Sequence, residues 1–156
     1  MTLHFAYGSN MSRAMMRKHA PDAAPVGAAS LAGHRFVITA DGYASVEPMR
    51  GQTVHGVLWR LTSHDRVTLD AWESVASGLY RAEALSVHCE GLRHMALVYI
   101  GRPRGPGRAR TGYMEIVTAA AQEWNLPDAY IASLRRFLPP RPLGAAERKL
   151  GEFGWT

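Results

Sequence analysis

Strand-length apolar segments arrive in close pairs along much of this chain, and that rhythm restricts the fold more than any single residue. Residues 26–31 and 34–39 read as two strands about a turn at Gly33, the second with Phe36 and Ile38 alternating. Residues 44–49 and 54–61 make two more, separated by Gly51. In the latter, His55, Val57, Trp59 and Leu61 share one face, while Val54, Gly56, Leu58 and Arg60 share the other. Residues 80–88 and 92–100 pair across a turn at Glu90-Gly91. Consecutive strands with short loops favour antiparallel pairing. The expected class is therefore α+β: a small, highly curved, mainly antiparallel β-barrel or sheet flanked by helices.

The flanking helices carry their own start and stop signals. Residues 3–7 read as a short strand and residues 12–19 as a helix, with Asn10 or Ser12 placed to cap it. Thr62 with Asp65 three residues on is a capping-box variant at the start of another helix. Thr111 is placed to cap a segment in which Tyr113, Ile116, Val117, Ala120 and Ala121 keep helical spacing to Trp124. Asn125-Leu126-Pro127 breaks it, and Pro127 suits the first turn of a last helix carrying Tyr130, Ile131, Leu134 and Phe137.

A length of 156 residues, 47% hydrophobic and 20% charged, fits one globular domain over 1–156. Its core is expected at about 3–137, with a C-terminal arm at about 138–156 carrying Phe153 and Trp155. No apolar run reaches the roughly 18 residues of a membrane span, and the N-terminus lacks a signal-peptide layout. The one cysteine, Cys89, sits in a strand-like run and reads as a buried structural thiol. The expected location is cytoplasmic.

A formal charge of +5 raises the question of nucleic acid. Arg102, Arg104, Arg108 and Arg110 fall in a Gly/Pro-rich loop with no aromatic residue among them, whereas a single-strand platform needs such rings for stacking. No nucleic-acid partner and no membrane partner is expected. The loop reads as a solvated one, with an anion-recognising or lid role as the alternative.

Two stretches carry chemistry. In Tyr7-Gly8-Ser9-Asn10 a strand gives way to a helix through small, turn-tolerant residues, which exposes backbone N–H groups suited to a carboxylate or an oxyanion. The plain reading is an ordinary strand-to-helix connection. In the helix expected over residues 62–75, Leu69, Trp72 and Ala76 define an apolar face, and Glu73, four residues after Leu69, points the same way. A carboxylate there either extends to solvent or sits buried with a raised pKa. Asp70, four residues from Arg66, reads as half of a surface ion pair. A turn at Gly78 then delivers Tyr80 at a strand start, close to the end of that helix.

The Tyr7-Gly8-Ser9-Asn10 turn, Leu69-Asp70-x-x-Glu73 and Gly78-x-Tyr80 together resemble the γ-glutamylcyclotransferase family, which includes the AIG2-like proteins. Tyr99, Tyr113 and Asn125-Leu126-Pro127-x-x-Tyr130 extend the likeness over residues 4–137. The resemblance implies a small β-barrel flanked by helices, Glu73 as the catalytic acid/base, and Tyr7, Gly8, Ser9 and Asn10 as a substrate-cradling turn. It places Tyr80, Tyr99 and Tyr113 among the tyrosines lining the cavity. The implied reaction cyclises a small-molecule γ-glutamyl substrate to 5-oxoproline, without metal or cofactor, in a monomer or homodimer. None of the seven histidines shows metal-site spacing. The chain departs from the family at Ser74, where glycine is common, which bears on substrate fit. It lacks the longer signature of the glutathione-specific branch, so a glutathione-only substrate is disfavoured. The alternative is a non-catalytic module of the same fold, binding a small metabolite or a protein. Ser9 lacks the Gly-x-Ser-x-Gly context of a nucleophile elbow, and His34 and His55 read as hydrogen-bonded core histidines.

Overall fold

Strand β1 (Thr2–Ala6) enters the sheet and pairs antiparallel with β3 (Ala44–Leu61), Phe5 opposite Leu58. β3 in turn pairs along its length with β2 (Ala24–Ile38). β4 (Tyr80–Cys89) joins β2 through Ala29 and Ser30, and β5 (Leu92–Gly101) pairs with β4. A parallel contact between His4 and Leu97 closes the circle, giving a barrel in the order β1-β3-β2-β4-β5. This computed structural model describes residues 1–103 and 105–139, so most of the expected C-terminal arm, with Phe153 and Trp155, lies outside the described residues, as does Arg104.

The barrel and its mainly antiparallel pairing agree with the sequence pattern, but two of the expected turns do not exist. Residues 26–31 and 34–38 belong to one strand, as do 44–49 and 54–61. Gly33 sits at a register shift between Ala32 and His34 at φ 72°, so it bends β2 at a bulge and does not reverse it. The reversal lies at residues 39–43, where the Thr39 N–H donates to the Tyr43 carbonyl. The Glu90-Gly91 turn forms as expected, both residues at positive φ.

Among the described residues, four α-helices surround the barrel. A 3₁₀ turn, Ser9–Met11, leads from β1 into α1 (Arg13–His19), and Ser12, not Asn10, caps α1 through its Oγ on the Met15 N–H. Helix α2 (Ser63–Trp72) opens on the expected capping box: the Asp65 N–H donates to Thr62 Oγ1 at 3.1 Å, and the Thr62 N–H to Asp65 Oδ2 at 3.2 Å. It ends three residues earlier than expected, so Ala76 falls beyond the helix and is exposed. Helix α3 (Tyr113–Glu123) starts at Gly112, held at φ 82°, and no side chain caps it; the role expected of Thr111 is not used. Helix α4 (Asp128–Arg135) follows Pro127, and no helix of the described residues is long and apolar enough to cross a membrane.

Both faces of β3 are largely buried because helices cover what the barrel interior does not. Trp59 meets Trp124 edge-on at 5.7 Å, and the Trp124 indole donates to the Met11 carbonyl at 2.7 Å. That bond ties the 3₁₀ turn to the end of α3. His34 and His55 are only half-buried; the fully sequestered histidines are His4 and His19. Cys89 is buried at the end of β4.

The arginine-rich segment is largely exposed, as a solvated loop is, and it is also anchored. Arg102 forms a two-pronged ion pair with Asp41, Arg110 Nε donates to the Asp41 carbonyl, and the Gly107 N–H donates to the Ile38 carbonyl. A Cβ at Gly107 would meet the Thr39 carbonyl oxygen at 1.9 Å, so only glycine permits that approach.

Candidate active site

One hollow of about 410 Å³, counted out to its mouth, opens where β1 passes into the 3₁₀ turn. The structure brings every predicted site residue to it: Tyr7, Gly8, Ser9, Asn10, Glu73, Tyr80, Tyr99 and Tyr113. Elements distant in sequence supply them: β1 and its following turn, the end of α2, the first residue of β4, the body of β5 and the first residue of α3. Sequence reasoning did not anticipate His4, Tyr43 and Ala44 in the lining. Arg110 lies over the Tyr43 ring at 4.7 Å, which brings the arginine-rich segment to the residues of the mouth.

Glu73 is the residue after the last turn of α2, and its N–H still donates to the Leu69 carbonyl at 2.9 Å. Its carboxyl turns inward, where Oε1 accepts from Asn10 Nδ2 at 3.3 Å. Burial raises its pKa from the ordinary 4.5 to about 7, because water no longer solvates the charge. Ser74 follows at φ 52°, a left-handed conformation that glycine adopts freely and serine at a cost of about 1 kcal/mol. The turn nevertheless closes, with the Ser74 N–H on the Ala71 carbonyl and the Leu79 N–H on the Ser74 carbonyl. The departure from the family at this position therefore leaves the backbone course to Tyr80 in place.

Three of the tyrosines spend their hydroxyl protons on the protein. Tyr7 donates to the Tyr99 carbonyl, Tyr80 to the Ala44 carbonyl, and Tyr99 to Asp70 Oδ1 at 2.6 Å. Asp70 is thus more than the surface partner of Arg66, which also contacts it at 3.1 Å. Tyr113 accepts from the Ala44 N–H, and Ser9 hydrogen-bonds to it through both backbone and side chain. A Cβ at Gly8 would lie 2.7 Å from the Tyr113 oxygen, so glycine lets the turn pass beneath that hydroxyl. Burial raises all four phenols and keeps them neutral; for Tyr7 the nearby Glu73 adds to it. What Tyr7, Tyr80 and Tyr99 offer a ligand is ring surface and oxygen lone pairs.

Behind the hollow stands a residue that sequence reasoning missed. His19, in the last turn of α1, is fully buried, and its Nδ1 lies 2.9 Å from Asn10 Oδ1. Its ring packs on Trp72 at 4.1 Å. Burial first, and the Lys18 ammonium second, bring its pKa down to about 4. His4 is likewise lowered to about 4 by burial, with Nδ1 on the Leu97 carbonyl at 3.1 Å. Among the described residues no cluster of three His, Cys, Asp or Glu side chains is placed to hold a metal ion.

A profile of the AIG2-like family matches residues 53–134, more than half of the chain. The chain belongs to the AIG2-like family. The matched stretch of this AIG2-like protein includes Glu73, Tyr80, Tyr99 and Tyr113, whereas the Tyr7–Asn10 turn lies before it. Among solved structures, a gamma-glutamyl cyclotransferase superposes with a TM-score of 0.83 at 24% identity, covering 94% of this chain and 93% of that one. An uncharacterized protein from Homo sapiens gives 0.84 at 25% identity, covering 97% and 94%. YkqA from Bacillus subtilis gives 0.75 at 27% identity, over 86% of this chain and 53% of that one. These likenesses show that the AIG2-like protein has the gamma-glutamyl cyclotransferase fold. Comparison with curated proteins gives no match.

Proposed function

We propose that this AIG2-like protein cyclises the γ-glutamyl group of a small substrate to 5-oxoproline, with Glu73 as general acid/base. One observation carries the reading: a buried carboxyl with a pKa of about 7 faces the same hollow as the Gly8-Ser9-Asn10 turn and five tyrosines.

The chemistry is intramolecular. The substrate's α-amine attacks its own γ-carbonyl; a C–N bond forms within a five-membered lactam, and the C–N bond to the leaving amine breaks. Glu73 as carboxylate takes the proton that the α-amine must lose, and as carboxylic acid returns it to the departing nitrogen. Atoms balance without water or a cofactor. A group poised near neutral pH does both jobs with little thermodynamic penalty. The remaining task is alignment, for which holding nucleophile and carbonyl together is worth roughly 7–11 kcal/mol of barrier. The oxygens of Tyr7, Tyr80 and Tyr99, which have already donated their protons, are acceptors for an α-ammonium, and the turn lines the same hollow.

The test is a panel of γ-glutamyl amino acids, γ-glutamyl amines and glutathione, scored for 5-oxoproline release. Release is expected from at least one of the first two classes, with glutathione not the preferred substrate. Binding without release across the whole panel would instead favour a non-catalytic module of the same fold.

A further inference from the structure

Asn10, which holds Glu73, is itself held by a side chain that does not line the hollow. With the amide oxygen of Asn10 toward the ring, an atom that accepts and cannot donate, the 2.9 Å contact assigns the His19 proton to Nδ1. That bond leaves the Asn10 NH₂ group turned to Glu73 Oε1. The imidazole is itself fixed against Trp72, the residue preceding Glu73, so the relay starts and ends on one turn of chain. We infer that His19 is a positioning residue: through Asn10 it decides which end of the amide meets Glu73, and thereby steadies the carboxylate form.

Without the His19 donor, the Asn10 amide is free to turn and present its oxygen to Glu73. A carboxylate facing an amide oxygen is disfavoured, so Glu73 takes up its proton at higher pH. The other groups around Glu73 do not produce this effect. Tyr7 of β1, Tyr80 of β4, Tyr99 of β5 and Tyr113 of α3 are all raised by burial and stay neutral. On α2, Asp70 is paired with Arg66; His4 of β1 is held down to about 4, and Lys18 lies over the Trp72 ring at 6.0 Å. His19, also held to about 4, titrates well below Glu73.

The proposal rests on the acid/base reading of Glu73 only for its effect on turnover, so its primary test needs no turnover. In substrate-free protein the Glu73 carboxyl is titrated by ¹³C NMR. His19→Phe keeps a ring against Trp72 and removes the donor, and its Glu73 midpoint is expected to rise by roughly one pH unit. Asn10→Ala is expected to do the same, and the double variant no more than either, because the two act on one contact. An unmoved midpoint in His19→Phe, or additive shifts, would overturn the proposal. Should the Phe variant fail to fold, the ¹⁵N spectrum of wild-type His19 decides: a protonated Nδ1 supports the relay, and a protonated Nε2 contradicts it. A moved midpoint in a protein that releases no 5-oxoproline would retain the positioning role and reject the cyclisation.

Discussion

Glu73→Gln is expected to leave the barrel folded and to lower kcat for 5-oxoproline release about 10³-fold, the middle of the range for losing a general acid/base. The amide keeps the shape and still meets the Asn10 side chain, but it cannot shuttle a proton. Substrate binding should change far less than kcat, because the tyrosines and the turn remain. The same substitution has a second consequence, on stability. Glu73 has a folded pKa of about 7 against an ordinary 4.5, so the folded state holds its proton more tightly than the unfolded chain. The stabilisation from the neutral form is fully present below pH 4.5 and is lost as pH rises through about 7. Glutamine never ionises. The variant should therefore match wild type near pH 4 and exceed it at pH 8 by about 2 kcal/mol, a figure reduced for the half-buried state of the residue. Denaturant unfolding at the two pH values reads this directly; a variant that is less stable at pH 8 would contradict the burial of the carboxyl.

Gly56→Ala is expected to be the most damaging single methyl group in the barrel. A Cβ there would lie 2.2 Å from the Ala6 carbonyl oxygen and 2.9 Å from the Phe5 ring. The first contact is with backbone, which cannot rotate away, and it sits where β1 pairs with β3. Relief requires β1 to move, and β1 leads directly into the Tyr7–Asn10 turn. A loss of about 3 kcal/mol is expected, together with lowered activity, measurable as a fall in Tm of roughly 6–12 °C. Gly51→Ala, where nothing lies within 4 Å but φ is 83°, should cost only the smaller backbone penalty of about 1 kcal/mol.

Local rules made much of this architecture legible. The Thr62–Asp65 box and the Glu90-Gly91 hairpin turn depend on neighbours a few residues away, and both form as the sequence implies. Gly33 and Gly51 misled because a positive φ serves a bulge as well as a turn; both sit at the same register shift of the β2–β3 pair, between Ala32/Thr53 and His34/Pro48. The inward turn of Glu73 followed from its spacing to Leu69, although the helix ends at Trp72 and Ala76 plays no part. His19 was not legible. Its partner Asn10 is nine residues away and its stacking partner Trp72 lies on another helix, so no periodicity marks it. The anchoring of the arginine-rich segment was hidden for the same reason, since Asp41 is 61 residues from Arg102.

The most direct measurement is product analysis after turnover of a γ-glutamyl amino acid in H₂¹⁸O. Attack by the substrate's own amine yields 5-oxoproline free of the heavy isotope, with one free amino acid per ring closed. Glutamate carrying ¹⁸O in its γ-carboxylate would make water the nucleophile and contradict the account.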